Sequence, residues 1–179
     1  SEIDPKDTWD LTKLYPHSEA YLKDLASISH MGDQLAAYKG KLAASAKNLY
    51  EALTLNDKMG TTVERAAAYA RLGFDSDMGD PKSKDLYERL DYLFSGLGEK
   101  LAFFEPELLE MEPETFEKYK TEEPGLKLYS WMMTRLFRQK GHVLSAREEE
   151  LLTRMATVAG SFDKIFDDLT VKDIVYPTV

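Results

Sequence analysis

Apolar positions in this chain recur at three- and four-residue intervals over most of its length, the period of amphipathic helices. An extended lead-in runs to His17, carrying Trp9, Leu11, Leu14 and Tyr15 as residues to dock on the body of the domain, and Pro16 closes it. Ser18 is the predicted N-cap of a first helix lined by Tyr21, Leu22, Leu25, Ile28 and Leu35. That helix is expected to end near Tyr38, with Gly40 as its stop. Ser45 opens the next helix, with Leu49, Ala52 and Leu53 on one face, and Asn56, Asp57 and Gly60 are expected to interrupt it. Thr61 and Glu64 then form a capping-box pattern ahead of a small-residue stripe of Val63, Ala66, Ala67, Ala70 and Phe74.

The break from Asp75 to Pro81 ends with Asp80 as cap and Pro81 at the first helical position. The clearest helix follows, with Leu86, Leu90, Leu93, Leu97, Leu101 and Phe104 on one side. Gly96 and Gly98 inside it each cost roughly 1 kcal/mol relative to alanine and point to close packing or a bend. Pro106 ends or kinks it, and short helical pieces follow, punctuated by Pro113 and Pro124. Leu126 to Gln139 reads as another helix. Ser145 and Glu148 make a capping box for a last one, carrying Leu151, Leu152, Met155, Val158, Phe162, Phe166 and Leu169. The final stretch changes character: Val171, Ile174, Val175, Tyr176 and Val179 predict a strand or extended tail. The expectation is an all-α, multi-helix domain over 1–170, with a short extended C-terminal tail, 171–179, that begins a following domain.

Composition bounds what such a domain does. At 179 residues, 43% hydrophobic and 31% charged, the chain can build a core. Its formal net charge of -9 argues against nucleic acid and against anionic membranes, because both need clustered Lys and Arg. The absence of cysteine excludes disulfides, thiolate catalysis and cysteine-based zinc sites. No basic-then-apolar leader opens the sequence, and no apolar run approaches the ~20 residues that span a bilayer, so a cytoplasmic location is expected.

Candidate chemistry is sparse. The three histidines, His17, His30 and His142, never stand four residues apart, so no pair shares a helix face as H-E-x-x-H requires. There is no G-x-S-x-G elbow, P-loop or dinucleotide fingerprint. Glu105, Glu107, Glu110, Glu112, Glu114 and Glu117 read as a solvated acidic face rather than as paired catalytic carboxylates. Trp131, Met132 and Met133 read as core rather than as a cofactor pocket. No catalytic, cofactor-binding or metal-ligating residue is assigned.

Five segments, taken in order, resemble the N-terminal region of the oligoendopeptidase F family of zinc metallopeptidases. They are Trp9-Asp10-Leu11 with Leu14-Tyr15; Tyr38-Lys39-Gly40-Lys41-Leu42; Tyr69-Ala70 followed by Asp75 to Asp77; Phe103-Phe104-Glu105-Pro106-Glu107-Leu108-Leu109; and His142-Val143-Leu144-Ser145 with Glu148-Glu149 and Leu151-Leu152. The resemblance implies a largely helical parent protein with a deep channel that admits short unfolded peptides and excludes folded proteins. It implies zinc held by an H-E-x-x-H helix and a later glutamate, the motif glutamate serving as general base. The sequence stops at Val179, ahead of the region where that motif lies in the family, so no family catalytic residue maps onto any position. This chain alone is expected to be inactive and to need a C-terminal catalytic domain as partner. The alternative is a free-standing helical protein-interaction module. A helical-bundle metal or cofactor protein is disfavoured by the lack of Glu-x-x-His pairs.

Overall fold

The structure is a computed structural model that describes residues 9–77 and 79–140, together with Phe162, Phe166 and Leu169. The chain divides into two compact units, Ser1–Phe137 and Arg138–Val179. Every regular element among the described residues is helical. In the second unit Phe162, Phe166 and Leu169 lie in helical backbone and are exposed. The predicted Ser145–Glu148 cap, most of the helix after it and the 171–179 tail lie outside the described residues.

Helix α1 runs Ser18–Ala36. Its buried residues Tyr21, Leu25, Ile28, Met31 and Leu35 follow the helical period that predicts it. Its cap is not Ser18 but His17. The backbone there is extended, and the imidazole Nδ1 accepts the Ala20 N–H at 3.3 Å. A hydrogen-bonding ring can do what a serine hydroxyl does at this position, so the N-cap lies one residue earlier than the hydroxyl suggests. The chain leaves α1 through Gly40, whose φ of 72° is the left-handed conformation that a helix stop favours. Of the lead-in, Tyr15 is buried and Leu14 packs against the core, but Trp9 is 69% exposed and does not dock.

Helix α2 runs unbroken from Ala46 to Ser76, 31 residues, which corrects the predicted interruption at Asn56, Asp57 and Gly60. Ser45 caps it as expected, its hydroxyl accepting the Asn48 N–H at 3.1 Å. Thr61 does not begin a helix. Its hydroxyl donates to the Asp57 carbonyl at 3.0 Å, as Thr62 donates to the Lys58 carbonyl at 3.0 Å. That is the i−4 back-bonding of a threonine inside a helix. The reason is burial: Leu49, Ala52, Leu53, Met59, Ala66 and Ala70 make a continuous buried face through the stretch read as a break. Fully burying one Leu is worth about 1.5–3 kcal/mol, more than the ~1 kcal/mol penalty of Gly60.

Helix α3, Pro81–Leu101, starts where sequence places it. Asp80 accepts from the Lys82 and Ser83 N–H groups, and Pro81 stands at the first helical position. Residues 21, 32 and 33 of α1 meet 86, 97 and 100 of α3, so the two helices run parallel. Gly96 and Gly98 do not mark close packing: a Cβ at either would meet nothing within 4 Å. The close approach is at Gly32, where a Cβ would stand 2.4 Å from Leu97 Cδ2.

Three shorter helices follow: α4 (Phe104–Glu110), α5 (Pro113–Glu122) and α6 (Ser130–Gln139). The predicted Leu126–Gln139 helix is really two elements, because Pro124–Tyr129 is a 3-10 segment and the α-helix begins at Ser130. Leu108, Met111, Phe116, Leu126, Tyr129 and Met133 join the same core as α1 to α3. Polar ties fix them in place. Glu107 accepts the Gly40 N–H at 2.5 Å, Tyr119 donates to the Ala43 carbonyl at 2.7 Å, and Tyr129 donates to Asp57 at 2.8 Å.

Candidate functional site

The residues singled out from sequence do not converge. His17 is occupied as a helix cap, His30 is exposed on α1, and His142 lies outside the described residues. Glu105, Glu110, Glu112, Glu114 and Glu117 are exposed, and Glu107 serves the Gly40 backbone. Met133 is fully buried core, whereas Trp131 is 73% exposed with Arg135 5.7 Å from its ring centre. The sequence reading of Trp131 as core is therefore wrong: it occupies the outer face of α6. No group of three His, Cys, Asp or Glu among the described residues is placed to hold a metal ion. These residues do not fit a zinc site.

Two arrangements that sequence reading missed stand out. The first is a polar lock between the lead-in, α1 and α2. The Tyr15 hydroxyl donates to Asp24 at 2.7 Å and accepts from Arg65 Nε at 3.2 Å, while Arg65 also pairs directly with Asp24. The guanidinium lies 4.9 Å from the Tyr15 ring centre, within cation–π range. Tyr21 and Tyr69 flank that ring edge-on at 5.7 and 5.2 Å. Burial raises the Tyr15 hydroxyl above its ordinary pKa, and its hydrogen bond to Asp24 adds to the shift. Tyr21, whose hydroxyl donates to the Leu86 carbonyl at 2.8 Å, is raised further, chiefly by burial. Neutral phenols serving as fixed donors hold helices together; nothing here activates a nucleophile. Of the lock only Tyr15 was visible in sequence, as one of the four anchors Trp9, Leu11, Leu14 and Tyr15, because Asp24 and Arg65 are brought together across 41 residues by the α1–α2 pairing.

The second is a groove of 990 Å³ along the α1–α3 seam. Leu22, Leu25, Leu93 and Leu97 line it, with Tyr92 85% exposed at its edge. Asp85, Glu88 and Arg89 stand at one end, and Glu99 and Lys100 at the other. Such a groove can bind, and the charged groups at its ends are exposed.

The sequence profile described as Oligopeptidase F matches residues 107–176. Oligopeptidase PepF of Bacillus subtilis (strain 168) is 35% identical over the whole chain, and the plasmid oligoendopeptidase F of Lactococcus lactis subsp. cremoris is 33% identical over 183 aligned residues. The crystal structure of oligoendopeptidase-F from Enterococcus faecium superposes with a TM-score of 0.72 over 91% of this chain, at 28% identity.

The chain matches the oligoendopeptidase F family, as its N-terminal region.

It spans 27% of the Bacillus subtilis relative, 30% of the Lactococcus lactis one and 32% of the Enterococcus faecium chain. The crystal structure of a putative peptidase from Chlamydophila abortus, at 24% identity and a TM-score of 0.70, shares the fold. The all-α architecture and the resemblance drawn from five short segments both hold. Among the described residues no helix is long and apolar enough to cross a membrane.

Proposed function

We propose that this chain is the N-terminal helical domain of a cytoplasmic, oligopeptide-cleaving zinc metalloendopeptidase, and that it builds part of the wall of the substrate channel. The observation that carries this reading is the similarity to oligoendopeptidases along the whole chain, coupled to coverage of less than a third of their length. The described residues supply no metal cluster of their own, so the catalytic set is assigned to a C-terminal catalytic domain, which is the domain's main partner. Zinc there would polarise the peptide carbonyl and lower the pKa of its bound water. The contribution of this chain is shape: a rigid helical wall that limits entry to short unfolded peptides. Residues 171–179 are proposed to begin the following domain.

Reading the gene beyond Val179 tests the proposal. An H-E-x-x-H helix downstream in the same frame is the expected result. A stop codon directly after Val179 would overturn it in favour of a free-standing interaction module.

A further inference from the structure

The outer face of α6 carries positive charge that the fold does not use. From Pro124 to Lys140 the sequence holds Lys127, Arg135, Arg138 and Lys140 and no acidic residue, in a chain of net charge -9. Three arginines of the first unit, Arg65, Arg71 and Arg89, each stand against a carboxylate. Arg135 has none among the described residues; its guanidinium lies over the Trp131 ring instead, 5.7 Å from the centre. Stacking occupies the flat face of a guanidinium and leaves its N–H edge free for a carboxylate. Lys127 is exposed and likewise has no carboxylate partner among the described residues. It comes about one helical turn before Trp131, as Arg135 comes one turn after, so the ring sits between two cations. Leu128 adds an apolar side chain to the same face, 79% exposed against 73% for Trp131. Lys127, Leu128, Trp131 and Arg135 all belong to the first compact unit. Their two apolar side chains offer on the order of 300 Å², well short of the ~800 Å² per partner that a stable protein–protein interface buries. A folded domain or a second copy of this chain needs more surface than that, and a short peptide does not. From Lys127 to Arg135 the face extends about 12 Å at the helical rise, the length of about four extended residues. Two cations that far apart call for two carboxylates, and a peptide has only one at its terminus, so acidic side chains are the matching groups.

We infer that this face docks short acidic peptides: two Asp or Glu side chains meet Lys127 and Arg135, and an apolar residue between them rests on Trp131 and Leu128. The inference rests on the function proposed above and adds a substrate class to it. The test uses the chain carrying Trp9→Phe, which leaves Trp131 as the one tryptophan. The probes are two pentapeptides capped at both termini, Glu-Ala-Leu-Ala-Glu and its Gln-Ala-Leu-Ala-Gln twin, so that no terminal carboxylate contributes. The Glu peptide should move Trp131 emission to shorter wavelength in a saturable way. It should bind about tenfold more tightly than its twin at low salt, and the difference should shrink as salt is added. K127Q and R135Q should each reduce that preference, and the pair should erase it, with the far-ultraviolet circular dichroism unchanged. Equal affinities, a preference that survives the double variant, or binding that leaves Trp131 emission unmoved would overturn the assignment. So would equally tight binding of a short thymidine oligonucleotide, which would make the face a general polyanion site. Self-association of the chain that Trp131→Glu abolishes would also overturn it, by making a second copy the occupant. Failure here leaves the peptidase reading standing, because that reading is decided by the downstream motif and by hydrolysis.

Discussion

Replacing Tyr15 by Phe isolates the hydroxyl of the polar lock. The ring is 4% exposed, and Phe preserves its edge-on contacts with Tyr21 and Tyr69 and its place under Arg65. What is lost is one donor to Asp24 at 2.7 Å and one acceptor for Arg65 at 3.2 Å. A hydrogen bond to a charged group is worth about 1.5–3 kcal/mol net. Here the lower end applies, because Asp24 keeps Arg65 and its side chain is 23% exposed to water. The expected loss is therefore about 1–2 kcal/mol, or a fall in Tm of roughly 2–8 °C for a domain of this size. Tyr15→Ala additionally removes a buried ring, for a total of about 3–5 kcal/mol. Urea unfolding followed by far-ultraviolet circular dichroism measures both. A Tyr15→Phe midpoint within error of wild type would show that the hydroxyl network contributes nothing. A Phe variant as unstable as the Ala variant would show that the ring packing contributes nothing.

Other substitutions probe the helix boundaries. Ser45→Ala should cost about 1 kcal/mol through loss of the α2 cap, whereas Gly60→Ala, in the interior of the same helix with open space around it, should stabilise by up to ~1 kcal/mol. Thermal melts of the two variants should move in opposite directions, and destabilisation by Gly60→Ala would argue for a real break there. Leu53→Ala, at a site 1% exposed in the middle of the core, should cost about 2–5 kcal/mol in denaturant unfolding. The raised pKa values of Tyr15 and Tyr21 set the alkaline limit. A phenol whose folded pKa lies above its unfolded value of 10.0 stabilises the fold fully below that pH, and the contribution is lost as pH rises through the folded value. Stability should hold flat from neutral to about pH 9 and then fall above pH 10, and Tyr21→Phe should make that fall shallower.

Local signals were legible in the sequence because they act locally. Ser45, Asp80 with Pro81, and Gly40 need only their own side chain or backbone to cap or stop a helix, and each does so where predicted. The Leu-rich face of α3 and the α1 stripe were legible for the same reason, their period being a property of one helix. Gly60 and Thr61 misled because breaking signals are weak against a buried face that continues through them. Gly96 and Gly98 were credited with close packing or a bend, and the close packing along the α1–α3 seam belongs instead to Gly32, since which glycine meets a neighbour there depends on the α1–α3 pairing. The lock of Tyr15, Asp24 and Arg65 and the groove along α1 and α3 were invisible for the same reason. Each joins residues that are far apart in the chain and meet only in the packed domain.

We have proposed that this chain shapes a peptidase whose catalytic groups lie elsewhere in the polypeptide. Metal analysis and a quenched-fluorescent peptide assay decide it, run on the purified chain alone and after mixing with the separately expressed C-terminal domain proposed above. The chain alone should hold no stoichiometric zinc and hydrolyse no peptide, and chelator-sensitive cleavage of short peptides should appear once the two are combined. Chelator-sensitive turnover that co-purifies with this chain, and disappears when His30 or His142 is replaced, would contradict it.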